Sequence, residues 1–339
     1  MADTKYDVLG IGNAIFDVLV KTDDAFLLAH GMTKGSMMLI DEARAAAIYR
    51  DMGPATEMSG GAAANTIVGL ASLGARAAYI GKVKDDQIGR MYTHDIRAAG
   101  VTFKTKPAAG GPATGCSYIL ITGDGERTMN TYLGAAQDLK PADVDPAAIA
   151  AAKIVYLEGY LWDPKDAKDA FVKASRIAHQ AGRQVALTLS DAFCVDRYRG
   201  EFIELMKSGM IDVIFANESE LHSLYQTSDF DTALNLLRSD VELGRHAQRK
   251  GLRGRLTRRR GGGAGISDRD HRGHHRRRRS VCRRIPVRPS TQCGLRECRQ
   301  AGRARGRRSH PAYRRAAANL AERAGEATRV AGVVVSATP

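Results

Sequence analysis

The segment Gly60–Asn65 (GGAAAN) has the composition of a ligand-binding loop that opens a helix. Paired glycines let a ligand approach the backbone closely, because they carry no side chain. A helix N-terminus supplies free N–H groups and the positive end of its dipole. Asn65 offers both a donor and an acceptor to a hydroxyl group. The segment predicts a site for a hydroxyl-bearing ligand, and a glycine-rich turn before an ordinary helix is the alternative.

An aspartate interrupts an apolar strand near the start of the chain. Asp17 ends the segment Gly10–Asp17 (GIGNAIFD). A carboxylate in such a strand is costly unless it is paired or serves a ligand. The two oxygens of a carboxylate can accept hydrogen bonds from two adjacent hydroxyl groups. We therefore predict that Asp17 binds a ligand, with hydrogen bonding by nearby backbone as the structural alternative.

A third polar group, Asn217–Glu220 (NESE), directly follows the apolar stretch Asp212–Ala216. This position at the end of a strand suits phosphate and Mg²⁺. Mg²⁺ prefers oxygen ligands and keeps several waters, so one carboxylate acting through water suffices, and no direct metal ligand is predicted. Helix capping is the competing interpretation, with Asn217 as N-cap and Glu220 as the third helical residue of a capping box.

The elements that would position these groups alternate between strand and helix. In the second half, strands at Ile154–Leu157, Val185–Leu189 and Val213–Ala216 are separated by helices at Lys165–Ala181 and Tyr198–Ser208. This βαβ rhythm predicts a parallel sheet covered on both faces. Ligands bind such sheets at the carboxyl ends of the strands.

The first half adds further strands. The pattern predicts strands at Asp7–Ile11 and Phe16–Val20 around a tight turn at Gly12-Asn13, and a further strand at Ala77–Ile80. It also predicts helices at Ala63–Leu73 and Asp86–Ala99. A hairpin is expected where Ser117–Thr122 and Thr128–Leu133 flank Gly123–Gly125. The fold class predicted is a doubly wound α/β core with extra β-structure near its N-terminal half.

Together and in this order, the three motifs resemble the PfkB (ribokinase-like) family of sugar and nucleoside kinases. The resemblance covers residues 6–243 and includes Gly81–Asp86 (GKVKDD) and Thr114-Gly115. The segments Asp7–Asn13 and Lys34–Ile40 look most like the adenosine kinase branch. The resemblance implies a Rossmann-like doubly wound sheet with helices on both faces and a small β-lid. The lid segments would lie roughly within residues 16–50 and 100–135.

The resemblance also implies roles for individual residues in an ATP-dependent phosphotransferase. Asp17 would bind ribose hydroxyls in a pocket lined by Asn13, Gly60, Gly61 and Asn65. Asn217 and Glu220 would organise Mg²⁺ and phosphate. Tyr160 or Leu161 could pack against a base, although a core role is the stronger interpretation. The implied cofactors are ATP and Mg²⁺, and the implied partner is adenosine or a related nucleoside or sugar.

The residues after 243 differ sharply in composition from those before. Residues 1–243 carry 24 basic and 32 acidic side chains, a net charge of −8, whereas residues 244–339 carry 27 basic and 5 acidic ones. The tail holds 26 arginines and a single lysine, Lys250. So few large apolar residues accompany these charges that the tail is not expected to form a packed core.

The tail also lacks a family motif. The family ends with an Asp-Thr-Thr-Gly-Ala-Gly-Asp segment that forms an anion hole and supplies the general base, and residues 1–339 contain no match. Shifted by one nucleotide after Leu243, with free choice of synonymous codons, His271–Pro289 can be translated as TVDTTGAGDLFAAGFLFGL. The lost aspartate would then fall at Arg279 and Ser280. We therefore predict that residues 244–339 are an aberrant, out-of-frame tail and that the chain as written is inactive. Without the strands that would follow it, the strand at Asp212–Ala216 is expected at an unpaired edge of the sheet.

Two alternatives remain. A basic nucleic-acid-binding arm could use Arg258–Arg260 and Arg276–Arg279, but the match in the shifted frame disfavours it. A non-catalytic nucleoside-binding protein would follow if the frameshift is genuine.

The chain has no apolar run of the length of a membrane span, and Cys116 and Cys194 are isolated in sequence. A cytoplasmic protein without a membrane partner is expected.

Overall fold

The computed structural model describes residues 4–241 and 332–336, and the larger of its two sheets is entirely parallel. Its strands are β1 (Tyr6–Ile11), β5 (Ala77–Ile80), β6 (Thr102–Phe103), β9 (Ala152–Glu158), β10 (Gln184–Thr188), β11 (Val213–Asn217) and β12 (Gly332–Ser336). They lie in the order β12-β11-β10-β9-β1-β5-β6. The order reverses on either side of β1, which is the arrangement of a doubly wound sheet.

The smaller sheet has five strands of mixed direction and corresponds to the predicted lid. Its strands are β2 (Ile15–Lys21), β3 (Met37–Leu39), β4 (Thr56–Gly60), β7 (Thr114–Ile121) and β8 (Arg127–Gly134). They lie in the order β3-β8-β7-β2-β4. The hairpin expected around Gly125 is confirmed as the antiparallel pair β7–β8. β4 was not predicted, and it brings Gly60 beside Ile15 of β2.

Helices connect the strands and begin mostly at acidic or amide N-caps. They are α1 (Asp24–Ala29), α2 (Glu42–Asp51), α3 (Ala62–Ser72), α4 (Gln87–Ala98), α5 (Pro146–Ala150), α6 (Lys165–Gln180), α7 (Ala192–Lys207), α8 (Glu218–Tyr225) and α9 (residues 230–241). Short 3₁₀ turns lie at Ala135–Asp138, Pro141–Asp143 and Gly159–Trp162. Side chains such as those of Asp41, Asp86 and Asp191 accept hydrogen bonds from the first turns of the helices they precede. These caps supply partners to N–H groups that a helix leaves free.

Two apolar layers cover the large sheet, one on each face. Leu9, Val155 and Leu187 pack with the helices α6, α7 and α8. The neighbouring positions Val8 and Tyr156 contribute to a second cluster with α3, α4 and the smaller sheet. Successive strand residues point to opposite faces, so burial on both sides requires nearly continuous apolar strands. The predicted Rossmann-like α/β class is confirmed.

Three local expectations need correction. β1 and β2 were predicted around a tight turn, but they belong to different sheets. The helix predicted from Tyr198 begins at Ala192, and the backbone of Tyr198 departs from helical geometry at φ −124°. β11 was expected at an unpaired edge, yet it pairs in parallel with β12 from Val213 to Asn217.

Several expectations concern residues that the structure does not describe. Arg279, Ser280 and the basic groups proposed for nucleic acid lie outside the described residues. In the parts of the chain that are described, no helix combines the length and apolar character needed to cross a membrane.

Candidate functional site

The chain crosses from the large sheet to the smaller one at Gly12 and Asn13, directly after β1. β1 pairs with β9 up to Ile11 and Leu157, so the crossing meets the carboxyl end of β9. Asn13 is buried, and the hydroxyl of Tyr79 donates a 2.9 Å hydrogen bond to its carbonyl oxygen. The first predicted ligand-binding residue therefore lies at the carboxyl edge of the sheet, where such folds bind ligands.

Glu158, the last residue of β9, holds this crossing together. The Asn13 N–H donates to its Oε2 at 2.5 Å, and the Ala63 N–H donates to its Oε1 at 3.1 Å. One carboxylate thus joins the turn after β1 to the first turn of α3. Burial raises the pKa of Glu158 to about 7, and the backbone donors oppose that rise.

Glu158 was not among the predicted site residues. The available signal was a charged residue closing the apolar run Ile154–Leu157, at a strand's carboxyl end. A buried carboxylate of this kind requires partners. The partners are backbone groups far away in sequence, so composition and spacing did not reveal them.

Asp17 lies on β2 and faces the junction of β4 and α3. A methyl group on Gly60 would come within 2.1 Å of its carboxyl group, so the two residues are in direct contact. The Asn65 side chain is hydrogen bonded to Asp17. Burial raises the pKa of Asp17 to about 7 despite that hydrogen bond. The predicted residues Asp17, Gly60 and Asn65 are therefore brought together.

Gly61 completes the same cluster through its backbone. Its φ of 96° lies in the region that favours glycine, and a Cβ there would lie 2.2 Å from the carbonyl oxygen of Asn13. This close approach brings the crossing after β1 against the start of α3. The five predicted substrate-binding residues consequently form one contiguous group.

One polar atom in this group has no partner among the described residues. The Oδ1 of Asn13 is buried and accepts no hydrogen bond. Buried polar atoms are normally paired, and unpaired ones in native structures often face a ligand, an ion or a water. An amide oxygen in this position can accept a hydrogen bond from a ligand hydroxyl.

Asn217 and Glu220 form a capping box at the start of α8. The Glu220 N–H donates to Asn217 Oδ1 at 2.8 Å, and the Asn217 N–H donates to Glu220 Oε2 at 3.1 Å. The capping interpretation is thus confirmed, and a phosphate or Mg²⁺ role remains a prediction. Burial raises the pKa of Glu220 to about 7.

The capping box and the substrate group share one edge of the large sheet. Glu158 pairs in register with Thr188 of β10, and Thr188 pairs with Phe215 of β11, two residues before Asn217. Because the three strands are parallel, their carboxyl ends meet at the same edge. The predicted phosphate-side group is therefore two strands away from Glu158.

Tyr160 and Leu161 follow Glu158 in a 3₁₀ turn and differ in environment. Leu161 is fully buried in the apolar layer beside α6 and α7, which agrees with a core role. Tyr160 is partly buried, and its hydroxyl donates a 3.0 Å hydrogen bond to Asp191. Asp191 also caps α7, so Tyr160 is tied to the loop after β10.

Comparison with known proteins agrees with this architecture. The sequence model described as pfkB family carbohydrate kinase matches residues 50–249. A solved structure of adenosine kinase from Sinorhizobium meliloti is 59% identical, with a TM-score of 0.66, over 70% of this chain and 72% of that one. A probable sugar kinase structure from Rhizobium etli CFN 42 is 55% identical over the same shares, also with a TM-score of 0.66.

Curated relatives match a shorter part of the chain. A probable fructokinase from Arabidopsis thaliana is 27% identical over 197 residues, which are 54% of this chain and 58% of the fructokinase. The chain therefore matches little more than half the length of that relative. The family match spans more than half of the chain and includes the Gly60–Asn65 and Asn217–Glu220 segments. The chain belongs to the pfkB family of carbohydrate kinases.

Proposed function

We propose that the described body is the substrate-binding part of an ATP-dependent nucleoside kinase that recognises adenosine. The contact of Asp17 with Gly60 and Asn65 carries the proposal. The same group contains Asn13, whose buried Oδ1 has no hydrogen-bond partner among the described residues. A carboxylate and an amide oxygen can both accept hydrogen bonds from the hydroxyls of a ribose. The 59% identity with a structure named adenosine kinase supports a nucleoside as the substrate.

Each residue of the group has a defined part in binding. Asp17, as a carboxylate, accepts hydrogen bonds from ribose hydroxyls, while Asn65 orients that carboxylate and offers a further polar contact. Gly60 and Gly61 leave space for the sugar against the backbone. Glu158 keeps the Asn13 turn and the start of α3 in place.

The residues for ATP and Mg²⁺ are those of the α8 capping box. Glu220 offers one carboxylate, and both of its oxygens are engaged by Asn217. This donor set fits a Mg²⁺ ion held through water rather than by direct coordination. Mg²⁺, when bound, neutralises charge on the transferring phosphate. Asn217 is the last residue of β11 and holds the Glu220 carboxylate by hydrogen bonds. The carboxylate therefore lies at the carboxyl end of β11, where we propose that the phosphate binds.

Phosphoryl transfer also needs a general base and an anion hole, and no match to the family segment exists in residues 1–339. We infer that residues 244–339 are out of frame and that the base was lost at Arg279 and Ser280. The chain as written would then bind the nucleoside without phosphorylating it. Residues 1–243 would form the kinase core.

A sugar kinase is the second candidate, because fructokinases are among the curated relatives. Titration calorimetry of the full chain with adenosine, ribose and fructose separates the two. Adenosine should bind at least about tenfold more tightly than either sugar, since only it carries a base. Tighter binding of fructose than adenosine would replace the nucleoside proposal with the sugar kinase.

The tail hypothesis is tested on the source DNA and on a repaired chain. Sequencing across codons 240–250 shows whether one base has been added. Removing one base there should restore the family segment and produce ATP-dependent phosphorylation of adenosine, while the original chain remains inactive. Phosphorylation by the original chain, or inactivity of a folded repaired chain, would reject the frameshift hypothesis.

A further inference from the structure

A basic groove lies between α4 and the segment that follows β6, and it shares no residue with the substrate group. Its volume is about 620 Å³, and its lining includes Lys84, Arg90, His94, Arg97, Thr105 and Pro107. Pockets of this size hold small organic ligands. We call these six residues and the space between them the α4 groove.

The charge of the α4 groove is opposite to that of the surrounding body. Arg90, His94 and Arg97 are spaced by four and three residues, which places them on one face of α4. Lys84 contributes a third permanent cation, and Asp85 is the one acidic residue among the described lining positions. Arg90 is paired with Asp85, but the lining as a whole stays positive, whereas residues 1–243 carry a net charge of −8. Such a local positive potential attracts anions.

Backbone contacts hold two of the cations in place. Arg97 donates from Nε to the Phe103 carbonyl at 2.9 Å, and Lys84 donates from Nζ to the Gly111 carbonyl at 2.8 Å. A guanidinium has five N–H donors and an ammonium has three, so both retain donors for a ligand. Fixing the side chains beforehand reduces the entropy lost when a ligand binds.

The segment after β6 adds a hydroxyl to the groove. The Oγ1 of Thr105 is buried and has no hydrogen-bond partner among the described residues. The neighbouring Lys104 and Lys106 are exposed but are not among the residues that line the groove. A hydroxyl next to several cations is a combination that suits phosphate oxygens.

The opposite face of α4 is occupied by the fold itself. Tyr92 and Ile96 are fully buried in the core, and the Asp95 carboxylate accepts hydrogen bonds from the N–H and Oγ of Ser59. The helix packs into the core through that opposite face, and Arg90, His94 and Arg97 are exposed. We propose that the α4 groove binds a small phosphate-bearing anion, either an inorganic polyphosphate or the diphosphate of a nucleotide.

Lysine footprinting of the full chain tests this proposal. The chain is treated with an amine-acylating reagent, with and without inorganic tripolyphosphate or ADP, and acylation is measured at each lysine by mass spectrometry. Acylation of Lys84, the lysine that lines the groove, should slow about fourfold at a ligand concentration about three times Kd. The arginine-rich tail adds only one acylation site to this measurement, because its single lysine is Lys250.

A matched pair of variants supplies the control. Arg90→Gln removes a cation whose side chain is 66% exposed and paired with Asp85. Arg50→Gln removes one that is 73% exposed and paired with Asp51, outside the groove. Protection should be lost in R90Q and retained in R50Q, with Lys165 unaffected throughout.

Protection by both ligands assigns the site to phosphate groups, and protection by ADP alone assigns it to a nucleotide. The proposal is overturned if neither ligand protects Lys84, or if Lys165 is protected equally. Equal protection in R90Q and R50Q would also overturn it.

Discussion

The carboxyl group of Asp17 lies directly against the α-carbon of Gly60: a methyl group there would come within 2.1 Å of it. Gly60→Ala should therefore displace Asp17 and weaken adenosine binding by about tenfold or more, since a hydrogen bond to a charged group contributes about 1.5–3 kcal/mol. Calorimetry measures the change. Gly53→Ala is the control, because a methyl group at Gly53 meets nothing within 4 Å. Unchanged binding in G60A would exclude Asp17 from the ligand site.

Alanine substitutions at Gly61 and Gly74, when compared, separate the cost of backbone strain from the cost of steric overlap. Both have positive φ, 96° and 92°, but a Cβ on Gly61 would lie 2.2 Å from the Asn13 carbonyl, whereas one on Gly74 would be in open space. Gly74→Ala should cost about 1–2 kcal/mol of unfolding free energy from the left-handed backbone alone. Gly61→Ala should cost at least about 2 kcal/mol more, because backbone must move as well. Denaturant titration compares the two, and equal losses would show that the Gly61–Asn13 contact is not needed for stability.

Asp17 should make the free protein less stable as the pH rises. Its pKa is about 7 in the folded protein and 3.8 ordinarily, so the folded state holds this proton more tightly. Stability is then lost progressively between pH 3.8 and about 7 and stays low above that range. Asp17→Asn removes the buried charge and should raise the unfolding free energy at pH 8 by about 1–2 kcal/mol, after allowance for solvent screening.

The same variant should bind adenosine poorly, because the amide replaces one acceptor oxygen with a donor. Greater stability together with weaker binding is the combination expected at a functional site. Thermal unfolding across pH, paired with calorimetry at pH 8, measures both properties. A D17N protein that is less stable at every pH would point to a structural aspartate instead.

Sequence patterns located the five inner strands of the large sheet, because buried parallel strands are short, apolar and separated by helices of regular period. The edge strand β6 has only two residues and was not predicted. β4 escaped prediction because Thr56–Gly60 contains Glu57 and two glycine or serine positions and lacks an apolar run. β12 pairs with β11 across more than a hundred residues of chain, and no local pattern reports such a pairing.

The candidate site was predictable where a residue type is costly in its local context. Asp17 in an apolar strand and paired glycines before a helix are such signals. Glu158 was missed because its role depends on Asn13 and Ala63, which are 145 and 95 residues away. For Asn217 and Glu220 the spacing alone favoured a capping box over a phosphate site, and the capping box is a matter of local geometry.

Glu158→Gln should lower both the stability of the fold and the affinity for adenosine. A neutral amide can accept only through one oxygen, so either the Asn13 or the Ala63 N–H loses its partner, at a cost of about 1–3 kcal/mol. Adenosine affinity at pH 8 should fall about tenfold, since the turn and the start of α3 shift relative to Asp17. Glu204→Gln is the control, because Glu204 is exposed on α7 and lies outside the substrate group. Wild-type affinity in a folded E158Q protein would contradict the positioning role.

Glu220 and Glu218 lie in the same turn of α8, which allows capping to be separated from a phosphate role. Glu220→Gln disturbs the reciprocal bonds with Asn217 and should lower the unfolding free energy by about 1 kcal/mol. Glu218→Gln removes an exposed carboxylate that contacts only His222 among the described ion pairs, and should change stability little. In the repaired chain, E220Q should also raise the KM for Mg²⁺-ATP while leaving that for adenosine unchanged. If E220Q lowers stability and leaves both KM values alone, Glu220 is a capping residue only, and the Mg²⁺ role assigned to it is wrong.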